Sequence, residues 1–184
     1  MNNPETITVD DLTFVPFITE EQIQERIKAL AQEIEEKFRD KDPIFIGVLN
    51  GSVFFITDLL KNYVSPCEID FLKLSSYHGT GSTGMVKLHK DINAKVNDRH
   101  VIVVEDIVDT GLSLQFLKDL ILRQNPASLS IATLLYKPDN DKYKLPIDYI
   151  GFTIPPAFVI GYGLDLNQRF RNLRSIYVLK EGGN

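Results

Sequence analysis

From Val101 to Ser113 the chain reads VIVVEDIVDTGLS, in which three carboxylates, Glu105, Asp106 and Asp109, are followed by two hydroxyls, Thr110 and Ser113. An apolar run that ends in acids and passes through Thr-Gly into LSLQFLKDL is the pattern of strand, turn and helix. In an open α/β sheet, ligands bind at the carboxyl ends of the strands, and the free N–H groups opening the next helix attract an anion. Asp109-Thr110-Gly111-Leu112-Ser113 is therefore a candidate phosphate cradle, in which Gly111 admits close backbone approach and the hydroxyls donate hydrogen bonds. Glu105 and Asp106 would repel that phosphate unless they face sugar hydroxyls or a metal ion. A phosphorylated sugar satisfies both halves. A plain turn capped by Asp109 explains the turn but neither of the preceding acids.

The rest of the chain supplies elements able to hold such a strand end. From Thr19, TEEQIQERIKALAQEIEEKFRD opens with a capping box, Thr19 with Gln22, and repeats apolar residues at Ile23, Ile27, Leu30, Ile34 and Phe38, which predicts an amphipathic helix. PIFIGVLN (43–50), Gly51-Ser52 and VFFITDLLKNY read as strand, tight turn and helix. Further strands are expected over 68–76, 100–106, 129–136, 148–152, 158–160 and 176–179, with a helix over 112–124. The run 100–106 is apolar on consecutive residues, as a parallel strand buried on both faces would be. This alternation predicts an α/β fold with a doubly wound, mostly parallel sheet. Segments 1–18 and 146–184 fall outside the alternation and are expected to pair as a small hood on one domain spanning 1–184.

Composition narrows the function classes. With 184 residues, 43% hydrophobic, the chain can close one core without help from metal or disulfide. A single cysteine, Cys67, forms no internal bridge, and His78, His89 and His100 lack the spacing of a zinc site. A net charge of −5 gives no broad field for nucleic acid, and no apolar run is long enough to span a bilayer. A cytoplasmic protein without nucleic-acid or membrane partners is expected. GTGSTG, within HGTGSTG (78–84), matches a dinucleotide fingerprint formally. The alternating MVKLHKDI that follows is strand-like, however, so no helix dipole would face a pyrophosphate.

EDIVDTG at a strand end resembles the phosphoribosyl-pyrophosphate signature of the type I phosphoribosyltransferases, and the acid at Asp109 resembles their 6-oxopurine branch. The resemblance runs from about Thr8 to the end of the chain. It implies that Glu105 and Asp106 bind ribose hydroxyls and that Asp109 is the general base toward a purine ring nitrogen. It implies a pyrophosphate loop at Leu49-Asn50-Gly51-Ser52, with a cis bond between Leu49 and Asn50. Asn50 stands where other members have lysine. Lys137 resembles the lysine that reads the 6-oxo group, Phe158 the ring that stacks on the base, and Val159 the residue whose backbone meets its edge. Asp165 resembles an acid that helps hold magnesium together with Glu105 and Asp106, and Arg171 a pyrophosphate-binding arginine. Ser76-Tyr77 resembles the start of a lid over the reaction centre, continuing through 78–84. The implied activity is purine salvage: Mg2+-dependent transfer of phosphoribose from phosphoribosyl pyrophosphate to hypoxanthine or guanine, giving IMP or GMP and pyrophosphate. A homodimer or homotetramer is implied as well. A nucleotide-sensing regulator of the same fold and an enzyme for xanthine stand as alternatives at this point.

Overall fold

The computed structural model describes residues 4–77 and 85–180. Its main sheet has six strands, β3 (Ile44–Leu49), β4 (Glu68–Tyr77), β5 (Met85–Lys90), β6 (His100–Val108), β7 (Ser128–Tyr136) and β8 (Tyr149–Thr153). They lie in the order β5-β4-β3-β6-β7-β8, parallel throughout except for the antiparallel hairpin β4–β5 at one edge. Strand β6 is central and extends two residues past the expected 106. The parallel arrangement brings the carboxyl ends of β3, β6 and β7 to one rim.

Helices α1 (Glu20–Phe38), α2 (Val53–Asn62) and α3 (Leu112–Leu122) cover both faces. Helix α1 starts with the expected capping box: the Gln22 N–H donates to Thr19 Oγ1 and the Thr19 N–H donates to Gln22 Oε1. Its buried stripe, Ile23, Ile27, Leu30, Ile34 and Phe38, packs with Phe55 and Leu59 of α2 over one face of the sheet. On the other face Leu117 and Ile121 of α3 pack on Ile44, Ile46, Val101 and Val103. Odd and even residues of β3 and β6 thus serve different cores, which is why both strands read as unbroken apolar runs. Each such side chain contributes on the order of 1.5–3 kcal/mol by leaving water.

The hood is an antiparallel sheet, β1-β2-β10-β9, built from β1 (Ile7–Val9), β2 (Leu12–Ile18), β9 (Val159–Ile160) and β10 (Ile176–Leu179). Its C-terminal share begins at Val159 and not near 146, because Tyr149–Thr153 pairs in parallel with β7 as the sixth strand of the main sheet. The strand itself was expected at 148–152, but its proline-rich flanks gave no sign that it joins the main sheet. The loop HGTGSTG, expected to form the lid, lies outside the described residues. No helix among the described residues is long and apolar enough to cross a membrane.

Candidate active site

Three loops meet at the carboxyl rim. The first follows β3, where the Leu49–Asn50 peptide is cis and the Ser52 hydroxyl donates to the Val48 carbonyl at 2.7 Å. Gly51 lies against the end of β6 so closely that a Cβ on it would fall 1.7 Å from Asp106 Oδ2. The second, 109–113, leads from β6 into α3; its Asp109, Thr110, Gly111 and Ser113 line a cleft of about 230 Å3 together with Glu105 and Val108. The third is 161–171 from the hood. Gly163, at φ +98°, packs on the first loop so that a Cβ there would sit 1.9 Å from the Gly51 carbonyl oxygen. Glycine is required at Gly163 twice over, by the left-handed backbone and by this approach.

The candidate phosphate cradle, 109–113, runs through a turn into a helix start. Gly111 takes the left-handed conformation at φ +79° as the residue before α3, and no side chain caps the helix. Its first N–H groups are thus left to water or to an anion. The Leu112 N–H reaches Thr110 Oγ1 only at 3.5 Å. Thr110 is exposed, and Ser113 is partly so.

Register explains why Asp109 and Lys137 meet. Val108 of β6 pairs with Tyr136 of β7, so the next residues along the two parallel strands are neighbours. Lys137 Nζ donates to Asp109 Oδ2 at 2.9 Å, and the lysine side chain is only 9% exposed against 42% for the aspartate. A second donor, Asn140 Nδ2, holds Asp109 Oδ1 at 2.7 Å. Both oxygens of the acid are therefore engaged in the free protein.

Glu105 is buried, and Asp106 beside it is largely so. Burial and the adjacent Asp106 charge push the Glu105 carboxyl well above the ordinary range. Burial pushes Asp106 up to about 6, with Asp165 adding to the rise and Arg171 opposing it. Two neighbouring acids that resist ionisation favour whatever brings donors or positive charge to them. Arg171 also forms an ion pair with Asp165 Oδ1 at 2.6 Å and donates to the Gly163 carbonyl at 2.6 Å and to Gln168 Oε1 at 3.1 Å. The Gln168 N–H in turn donates to Asp165 Oδ2 at 2.8 Å. Among the described residues no group of three His, Cys, Asp or Glu could by itself hold a metal ion.

Phe158, which precedes β9, is 45% exposed, with its ring 6.1 Å from that of Phe14. Val159 is buried in β9. Asn50 is exposed on the first loop. Ser76 and Tyr77 end β4, paired in backbone with Val86 and Met85.

Asn140, Gly163 and Gln168 were not legible as site residues. In KPDNDKYK, Asn140 reads as one turn residue among several, and only the fold reveals that it faces Asp109. Gly163 had a signal in the paired glycines of GYG, whereas Gln168 had none.

Comparison with known proteins shows the family to which the chain belongs. The model of the phosphoribosyl transferase domain family matches residues 19–167. The chain is 46% identical over 178 residues to the hypoxanthine-guanine-xanthine phosphoribosyltransferase of Tritrichomonas foetus, covering 96% of this chain and 97% of that one. It is 43% identical over 164 residues to the hypoxanthine-guanine phosphoribosyltransferase of Bacillus subtilis, covering 89% and 91%. A crystal structure of a hypoxanthine-guanine phosphoribosyltransferase from Bacillus anthracis superimposes with a TM-score of 0.85 at 44% identity, over 90% of this chain and 98% of that one. Matched by the family's model from its first helix to beyond Asp165, and similar in sequence and fold to these enzymes, the chain belongs to the phosphoribosyl transferase domain family.

Proposed function

We propose that the chain is a purine-salvage enzyme of the cytoplasm that transfers the 5-phosphoribosyl group of phosphoribosyl pyrophosphate to hypoxanthine or guanine, releasing pyrophosphate and IMP or GMP. The observation that carries this reading is the buried Lys137 ammonium 2.9 Å from the Asp109 carboxylate, next to an uncapped helix start. A 6-oxopurine presents an acceptor oxygen and, one ring over, a nitrogen that can give up a proton. Lys137 meets the first and Asp109 the second. Adenine would turn an amino donor toward the ammonium, leaving two donors face to face and unpaired.

The roles follow from position. The cradle 109–113 takes the 5-phosphate, with Thr110 and Ser113 hydroxyls and the N–H groups of Gly111 and Leu112 as donors. Glu105 and Asp106 accept from the ribose hydroxyls and stand near the positive charge that develops as the anomeric carbon loses pyrophosphate. The backbone of Asn50 and Gly51 and the guanidinium of Arg171 receive the leaving pyrophosphate, Phe158 stacks on the base, and the Val159 backbone meets its edge. Ser76 and Tyr77, at the end of β4, belong to a lid that excludes water from the activated sugar. Mg2+ fits these residues only in company with the substrate's phosphates, since Asp165, Glu105 and Asp106 would leave ligand positions for them, as magnesium sites commonly do. Bound there, it would neutralise and orient the pyrophosphate. Self-association as a homodimer or homotetramer is part of the proposal, supported by the exposed apolar side chains Phe54 and Ile69. Assay of nucleotide formation from each purine base tests the reading; turnover of adenine in preference to hypoxanthine and guanine would overturn it.

A further inference from the structure

Asp109 is partly exposed, and a carboxylate at a strand end can turn about its side-chain bonds. Two donors prevent that in the free protein. Lys137 Nζ occupies Oδ2 at 2.9 Å, and Asn140 Nδ2 occupies Oδ1 at 2.7 Å. Their fates differ once a base enters: on the proposed function, Lys137 must turn toward the purine's 6-oxo group and loosen its hold on Oδ2, whereas Asn140 has no other assignment.

Asn140 is itself held from several sides. Its N–H and that of Asp141 both donate to the Lys137 carbonyl at 3.2 Å, closing the turn after β7. Asp141 is buried and accepts at Oδ1 from the Tyr143 and Lys144 N–H groups, each at 3.0 Å, and at Oδ2 from the Tyr136 hydroxyl at 3.1 Å. The Lys142 N–H donates to the Thr110 carbonyl at 3.1 Å, which ties the same turn to the phosphate cradle. Gly111 leaves room for it, because a Cβ there would lie 2.4 Å from Asp141 Oδ1. The amide that grips Asp109 is thus carried on a turn locked to both β7 and the cradle.

We propose that Asn140 is the positioning residue of the general base, holding Asp109 Oδ1 so that Oδ2 alone faces the purine and receives its proton. In the step, a purine ring nitrogen forms the bond to the anomeric carbon as the bond from that carbon to pyrophosphate breaks, its electron pair leaving with pyrophosphate. The proton of the base's imidazole ring passes to Asp109 Oδ2, and the carboxylate becomes a carboxylic acid. Asn140 touches no reacting atom and acts through the orientation of Asp109. This rests on the proposed transfer to 6-oxopurines, which the unsubstituted protein tests separately by its turnover of hypoxanthine and guanine.

The test compares Asn140→Leu, which keeps the shape and removes the donor, and Asn140→Asp, which sets a second carboxylate against Oδ1. Both are assayed with guanine and with its 8-aza analogue, whose ring proton is more acidic while its 6-oxo group is unchanged. For Asn140→Leu with guanine, kcat is expected to fall about tenfold while KM for phosphoribosyl pyrophosphate stays within about twofold. The loss should shrink to less than about threefold with the 8-aza analogue, because a more acidic proton needs less of the base. Asn140→Asp should lose more than Asn140→Leu with guanine. Equal losses on the two bases, a parallel loss of phosphoribosyl pyrophosphate affinity, or unchanged kcat in both variants would overturn the proposal. Should Asn140→Leu not fold, the same comparison between bases in Asn140→Asp decides it.

Discussion

Replacing Gly51 by alanine tests whether the proposed pyrophosphate loop and the acids proposed to bind ribose form one unit. Gly51 does not have left-handed backbone, so alanine is conformationally acceptable there; the obstacle is space. The new methyl would lie 1.7 Å from Asp106 Oδ2 and 2.4 Å from its Cγ, where ordinary contact begins at 3.4 Å. The separation must roughly double. The loop cannot simply retreat, since its Gly51 carbonyl already packs against Gly163, whose own Cβ position is 1.9 Å from that oxygen. The Asp106 carboxylate is therefore displaced by more than an ångström, and a misplacement of about 1 Å in a site of this kind costs on the order of 10²-fold in rate. Loss of charged hydrogen bonds to the ribose, about 1.5–3 kcal/mol, leads to a similar figure. Steady-state kinetics on Gly51→Ala should show kcat/KM for phosphoribosyl pyrophosphate down about 10²-fold, KM for the purine within about threefold, and a far-ultraviolet spectrum like that of the parent. Undiminished kcat/KM, or a loss confined to purine affinity, would refute the reasoning.

Other substitutions separate the parts of the site. Asp109→Asn should lower kcat by about 10²–10⁴-fold and leave phosphoribosyl pyrophosphate binding by calorimetry unchanged, since the acid is assigned only a proton. Lys137→Met should raise KM for hypoxanthine by about 10–10²-fold through loss of a charged donor. Phe158→Ala should weaken the base about tenfold at little expense in thermal stability, because the ring is already 45% exposed. In the ligand-free protein, Glu105 and Asp106 titrate above their unfolded values, so the native state holds protons that the unfolded chain has shed. Their contribution is favourable at low pH and is lost as pH rises, for Asp106 from about 4 through about 6 and for Glu105 above its ordinary range, the reverse of an ion-paired acid. The unfolding midpoint should accordingly fall as pH rises through about 6, and a Glu105→Gln/Asp106→Asn double variant should flatten the fall and unfold at a higher temperature at about pH 7.5, without activity.

The main elements were legible because periodicity reports burial. Helix α1 carries its apolar residues at helical spacing behind a capping box, and β3 and β6 show the continuous runs of strands covered on both faces. Strand β8 was found, yet its place in the main sheet was not, since a five-residue strand between prolines carries no mark of its partner. The strands of the N-terminal strip were likewise unassigned: β1 is three residues long and β2 holds a proline. In the site, local motifs were visible and long-range contacts were not. EDIVDTG displays its own chemistry, whereas the grip of Asn140 on Asp109 spans 31 residues and depends on the register of β6 with β7.

The most direct measurement is nucleotide formation by the purified protein with phosphoribosyl pyrophosphate, Mg2+ and, in turn, hypoxanthine, guanine, xanthine and adenine. Turnover of hypoxanthine or guanine, with adenine inert, is the expected result. Binding of phosphoribosyl pyrophosphate without turnover of any base would contradict it and assign the fold a sensing role instead.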